Sequence, residues 1–247
     1  MKLTVLGGAG GWPPARGACS GYLIEHQGFR LLVDPGYATL PRLLEIVPAE
    51  SIDAVLVSHG HPDHVADLNP LLRSRAMRND PPPPLPAYAL PDALGPVLAL
   101  DQVDALEDAC VVHEFEAGDA FPIGPFGIES RLLPHFVPNA GIRITGSGLS
   151  VTYTGDAGPS GDLVELAGTT DLLLAEATYV ESVPANSAAS LNCALEVGRQ
   201  ASRAGAARLL LTHLWPGTDP EASRAAASRA FREWIGVAAG GVVVELD

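Results

Sequence analysis

Residues 58–64 read SHGHPDH, so three of the chain's seven histidines fall within six positions, with an aspartate between the second and third. His59, His61, Asp63 and His64 offer imidazole and carboxylate donors, which are ligands for first-row metal ions. The preceding stretch, DAVLVSH (53–59), reads as a buried strand, and Pro62 suits the start of a helix. The cluster thus stands at the carboxyl end of a strand, where a rigid backbone runs into a turn that lets side chains converge. Two imidazoles at i and i+2, then a carboxylate and a third imidazole, exceed what one tetrahedral ion takes from so short a loop. A second ion is the economical explanation, and it needs further ligands elsewhere in the chain.

Comparable residues recur at comparable places. His135 ends FGIESRLLPH, Asp156 ends VTYTGD and His213 ends RLLLTH, each after an apolar run and before loop residues. His26 and His113 lack that setting and read as ordinary surface or core histidines. Apolar, β-rich runs occur at 2–6, 20–26, 29–34, 53–59, 85–90, 110–115, 126–133, 148–156, 171–177, 208–213 and 241–247. Helical stretches are predicted at 38–47, 63–76, 91–107, 160–167, 188–204 and 219–235. This mixture predicts an α/β chain: an αββα sandwich of two mixed β-sheets flanked by helices, with residues 1–247 as one domain.

Composition narrows the function classes. Hydrophobic residues make up 47% and charged residues 18%, as in a globular chain. Fifteen basic against 29 acidic residues give a formal charge of −14, which repels a phosphate polymer at long range. Bound divalent ions reverse such a field locally, so a small anion is not excluded. No apolar run approaches the roughly 20 residues of a membrane span. MKLTVLGGAGG reads as a strand and turn, too short for a signal-peptide core. Cys19, Cys110 and Cys193 are odd in number and never form a CxxC pair, so a reducing cytoplasm is expected. NDPPPPLPAY (79–88) reads as a rigid surface connector in polyproline II form. The GGAGG loop (7–11) follows a strand, but Pro13 and Pro14 stand where a helix would start. It reads as a tight loop bordering a pocket, not a dinucleotide cradle.

The series SHGHPDH, a lone His, TGD and a final TH resembles the metallo-β-lactamase fold superfamily, and the similarity covers nearly the whole chain. FRLLVDPG matches that superfamily's early strand, whose acid, Asp34 here, supports the HxHxDH loop from behind the ligands. The resemblance assigns His59, His61 and His135 to one metal and Asp63, His64 and His213 to the other, with Asp156 bridging them. Two zinc ions are implied; manganese or iron also suits histidine and carboxylate ligands.

Within the superfamily, AEATY (175–179) resembles the HEAT segment of the RNase Z branch. HFVPNAGIRI and LTHLWPGTDP are similar to its small bacterial relatives, some of which hydrolyse cyclic nucleotides. The tRNA-processing members carry a long arm between the third His and the bridging Asp. Here only the 20 residues 136–155 intervene, enough for a hairpin. Those members also place a histidine beside the leaving group, whereas no histidine lies between His135 and His213, and Ser190 falls near that place.

The expected activity is therefore a di-metal phosphodiesterase acting on a small substrate such as a cyclic nucleotide. In such sites two metals about 3.5–4 Å apart share a hydroxide and hold the attacking and leaving oxygens. Asp156 would orient that nucleophile, Asp63 would be a ligand or accept its proton, and Glu176 would tune a neighbouring group or a water near the leaving oxygen, or else form a structural hydrogen bond at the strand end. Hydrolysis of a lactone, ester or thioester is the alternative enzyme reading, and a metal-binding relative without turnover is the non-enzyme one. The partner expected is a small anionic or ester substrate, with no long nucleic acid and no membrane. A homodimer is one assembly the chain could form.

Overall fold

Most strands are apolar on both faces, and the two faces feed different cores. In β3 (Phe29–Val33), Leu31 and Val33 enter a central core while Leu32 enters an outer one. In β11 (Leu172–Glu176), Leu172 and Leu174 face the centre while Leu173 and Ala175 face outward. Side chains alternate along a strand, so a strand covered on both sides reads as a continuous apolar run. Two sheets pressed together, each roofed by helices, satisfy that pattern.

The computed structural model describes residues 1–101 and 106–247. One seven-stranded sheet has the order β14 (Val243–Glu245), β1 (Lys2–Gly7), β2 (Gly21–His26), β3, β4 (Ala54–Leu56), β5 (Leu85–Ala89) and β6 (Cys110–Glu114). The other has the order β13 (Trp234–Val237), β12 (Arg208–Thr212), β11, β10 (Leu149–Tyr153), β9 (Asn139–Gly146), β8 (Phe126–Leu133) and β7 (Ala120–Ile123). Helices α1 (Thr39–Leu44), α2 (Pro62–Val65), α3 (Leu68–Ala76) and α4 (Gly95–Leu98) send Leu43, Val65, Leu72 and Val97 onto the first sheet. Helices α5 (Gly161–Leu166), α6 (Ala194–Ala204) and α7 (Pro220–Ser228) cover the second with Leu163, Val197, Ala201 and Ala227. The αββα sandwich is thus the observed architecture.

Strand direction positions the site. β9 is antiparallel to both β8 and β10, and β10, β11 and β12 are mutually parallel. The carboxyl ends of β8, β10, β11 and β12 therefore lie at one edge of the second sheet. In α/β sheets that edge is where ligands bind.

Several elements differ from the sequence reading. The segment 219–235 is helical only to Ser228, because WIGV (234–237) pairs in parallel with β12 as an edge strand. The stretch 188–204 becomes helical only at Ala194, since Asn192 N–H donates to the Glu176 carboxylate and Cys193 bridges to Tyr179. Of 91–107 only Gly95–Leu98 is helical among the described residues, and 102–105 lie outside them. Strands β7 (AFPI) and β9 (NAGIRITG) are not among the runs expected from the sequence. Among the described residues no helix is long and apolar enough to cross a membrane.

Leu174 lies in the central core with 1% exposure, touching both sheets' packing. Leu174→Ala should cost about 2–5 kcal/mol in urea unfolding at unchanged m-value, as a cavity between rigid sheets does.

Candidate metal centre

Five of the seven expected ligands come from loops that follow strands, and two sit on a short helix. His59 and His61 follow β4, and Asp63 and His64 lie on α2, whose first turn begins at Pro62. His135, Asp156 and His213 follow β8, β10 and β12 at the shared edge of the second sheet. The two sheets thus contribute facing halves of one site.

The ligand atoms form two sets that share Asp156. His59, His61, His135 and Asp156 place one donor atom each within 4.8 Å of one another, and so do Asp63, His64, Asp156 and His213. In the first set His61 Nδ1 is 3.0 Å from His59 Nε2 and 3.1 Å from His135 Nε2. In the second, His213 Nε2 is 3.1 Å from both Asp63 Oδ2 and Asp156 Oδ2. His64 Nε2 and Asp156 Oδ1 are 3.2 Å apart but not aligned for a hydrogen bond, and both are buried without a partner. Buried polar atoms are rarely left so, and a cation between them would satisfy both. The donors fit two divalent transition-metal ions, three imidazoles with a carboxylate in one set and two of each in the other.

The remaining ring nitrogens are held in place. Asp34, at the end of β3, accepts from Ser58 N (2.7 Å), Ser58 Oγ (2.6 Å), Tyr153 OH (2.8 Å) and His64 Nδ1 (2.8 Å). Ser58 Oγ lies 3.0 Å from His59 Nδ1, so a hydroxyl links that imidazole to the same acid. A matching chain serves the other sheet. Thr178 Oγ1 donates to Glu176 Oε1 at 2.6 Å and lies 2.9 Å from His213 Nδ1. His135 Nδ1 donates to the Ser190 carbonyl at 2.9 Å. These outer partners fix ring orientation and tautomer.

Glu176 lies behind the ligands, with its carboxylate engaged by neighbouring groups. It is buried, and its two oxygens accept from Ala157 N (2.8 Å), Thr178 Oγ1 and Asn192 N (3.0 Å). The glycine loop is closer to the site than its sequence alone indicates. Gly11 N donates to Asp63 Oδ2 at 2.7 Å, and a β-carbon on Gly10 would lie 2.5 Å from the His213 ring. His26 and His113 lie outside both sets, beside Phe126 and Tyr88 respectively.

Electrostatics divide the two sets. Burial and neighbouring imidazoles push His59 below its ordinary value, and burial likewise lowers His61 and His135, so these rings are neutral and free to ligate. Burial opposes charge on His64 and His213 too, but the Asp156 carboxylate overrides it and raises both. Asp63 is buried, yet the His213 hydrogen bond and the His64 charge hold it well below the carboxylate range. The second set is thus a carboxylate field that favours cationic charge. Burial and the Asp156 charge push Glu176 up to about 7.

Residues 11–214 match the beta-lactamase superfamily domain. The chain belongs to that superfamily. It is 34% identical to the probable metallo-hydrolase YhfI of Bacillus subtilis across 99% of this chain and 100% of YhfI. The crystal structure of YhfI superposes with a TM-score of 0.90 over 99% of this chain and 98% of that one. Ribonuclease Z of Mycolicibacterium gilvum is 29% identical over 94% of this chain and 92% of its own length. Human short-form tRNase Z, at 21% identity, shares the fold with a TM-score of 0.81 over 100% of each chain. The protein is a metal-dependent hydrolase of the metallo-β-lactamase fold.

The two hydroxyl links should be separable. Thr178→Val removes the hydroxyl behind His213 and should weaken one metal equivalent about 10–100-fold in a calorimetric titration, leaving the other unchanged. Ser58→Ala, behind His59, should weaken the other equivalent. A uniform loss in both variants would show that the sets do not bind independently.

Proposed function

We propose that this hydrolase is a cytoplasmic phosphodiesterase acting on a small substrate such as a cyclic nucleotide, with its whole chain working as one domain. The observation that carries the reading is the pair of ligand sets closing on Asp156. A metal pair held there would supply water of lowered pKa and would neutralise charge on a phosphoryl group. Zinc is the metal proposed, two ions per chain, with His59, His61 and His135 holding one and Asp63, His64 and His213 the other.

The chain's own residues set the rest. Asp156 stays ionised, held well below the carboxylate range despite its burial by the imidazoles of His213 and His64. Asp63 is fixed by Gly11 N–H and His213, which suits a ligand better than a base. Glu176 acts as a positioning residue through Thr178, because its oxygens are already engaged. Near His135 and Phe136 a cavity of about 810 Å³ is lined with Asp92, Glu116 and Asp162 and with no lysine or arginine. Such a cleft has no cationic track for a phosphate polymer.

The ribonuclease Z relatives favour RNA as a substrate, but two features of this chain weigh against it. Residues 136–155 contain only β9, a tight turn and β10, and the formal charge is −14. The three cysteines are unpaired, in keeping with a reducing compartment.

Zinc-loaded protein should be offered cyclic nucleotides, bis-p-nitrophenyl phosphate, a lactone, a thioester and a precursor tRNA at physiological salt. Turnover of cyclic nucleotides without trimming of the tRNA is expected; efficient trimming would overturn the small-substrate reading. The Ser190 carbonyl accepts from His135 Nδ1, and its own hydroxyl is a poor acid near neutral pH. General acid help is worth about 10²–10⁴ in rate, so activated diesters should be strongly preferred over unactivated ones. Ser190→His should raise the rate on unactivated diesters selectively, and equal wild-type rates on both would show that another acid is already at work.

A further inference from the structure

Two exposed indoles stand beside the second ligand set, and the hydrolytic chemistry above leaves them without a role. Trp12 is 51% exposed and Trp215 40% exposed, with ring centroids 5.8 Å apart. Tyr179 extends the group, 5.4 Å from Trp215. Single exposed aromatics are ordinary on a surface, but a contiguous group beside a polar site is not.

Both indoles are tied to ligand-bearing loops. Trp12 follows Gly11, whose N–H holds Asp63, and Trp12 N donates to Gly10 O at 2.9 Å. Trp215 stands two residues after His213. The two loops are joined by Gly10 N to Leu214 O at 3.0 Å and Leu214 N to Gly8 O at 3.2 Å. A β-carbon on Gly11 would lie 4.0 Å from Trp215 Nε1, which brings the second indole over the loop that holds Asp63. Tyr179 follows Thr178, the residue that holds His213. All three aromatics are thus one or two residues from His213 or from a residue that holds Asp63 or His213.

We propose that Trp12, Trp215 and Tyr179 form a shelf that binds the nucleobase of a mononucleotide whose phosphate lies at the shared Asp156. The proposal rests on the phosphodiesterase reading and names its substrate class. Every base has a π-face, and stacking on an aromatic side chain contributes without any charge. The rings are inclined at 52°, so they form a corner and not a parallel slot. A base lies flat on one indole and meets the other by its edge, an arrangement favoured by the ring quadrupoles. The phosphate lies toward the ligand sets, where the carboxylate field would hold cations. The acidic lining on the His135 side offers no second phosphate a partner there.

The test uses binding, not turnover. Zinc-loaded protein is titrated with adenosine 5′-monophosphate and, separately, with ribose 5-phosphate, following tryptophan fluorescence and heat. The nucleotide should quench saturably and bind at least tenfold tighter than the sugar phosphate. Trp12→Leu and Trp215→Leu should each weaken the nucleotide about fivefold or more, leave ribose 5-phosphate affinity unchanged and keep the wild-type zinc content. Trp234→Leu, on the far edge strand β13, should change neither affinity. Equal affinity for the two ligands in the wild type would overturn the shelf, and so would indole variants that keep full nucleotide affinity. Tighter binding of a single-stranded decaribonucleotide would overturn the mononucleotide assignment. Variants that pass from dimer to monomer with unchanged nucleotide affinity would mark the surface as a self-contact instead. If cyclic nucleotides are not hydrolysed while base-dependent affinity persists, the shelf stands and the reaction assignment falls.

Discussion

Asp156 is the one acid on which both ligand sets close. It is buried and faces five imidazoles, and its Oδ1 has no hydrogen-bond partner. Taking a carboxylate out of water costs several kcal/mol unless strong partners replace the solvent. The fold accepts that cost because β10 must turn sharply at TGD to aim the acid at both sets. Gly155 makes the turn at φ 56°, and a β-carbon there would lie 2.1 Å from Asn139 Oδ1. A side chain at that position would push the acid out of register with the first sheet's histidines.

The two halves are also fastened from behind. Asp34 belongs to the first sheet and holds His64 directly and His59 through Ser58, while Tyr153 of the second sheet donates to it. Glu176 plays the matching part in the second sheet, holding His213 through Thr178. Tyr22 and Thr212 add a further cross-sheet contact at 2.6 Å. The ligand geometry is therefore a property of the sandwich, since sliding one sheet over the other would break these bonds together. The glycine loop completes the enclosure by holding Asp63 and leaving room for the His213 ring.

Much of this was legible in the sequence, for physical reasons. Doubly covered strands leave unbroken apolar runs, and their abrupt ends mark where ligands begin, so SHGHPDH, His135, Asp156 and His213 could be read together. The outer partners were harder. Asp34 was visible only through the resemblance, while Thr178 and Tyr153 look like any polar residue near a strand end. Gly10 and Gly11 gave a loop signal without saying what it holds, because that depends on chain segments 50 to 200 residues away. Helix ends failed where tertiary bonds overrode propensity, as at Asn192, whose N–H goes to Glu176 and not into α6. Glu176 was open to either role for the same reason: a strand-end acid looks alike whether it faces the cleft or the backbone behind it.

One buried carboxylate, that of Asp156, joins the two ligand sets into a single centre. Its most direct measurement is the metal content of protein prepared without chelators, by elemental analysis, alongside Asp156→Ala checked for folding by circular dichroism. Near two equivalents of transition metal per wild-type chain are expected, with both sets weakened together in the folded variant. One equivalent or none in the folded wild type, or two retained by Asp156→Ala, would contradict it.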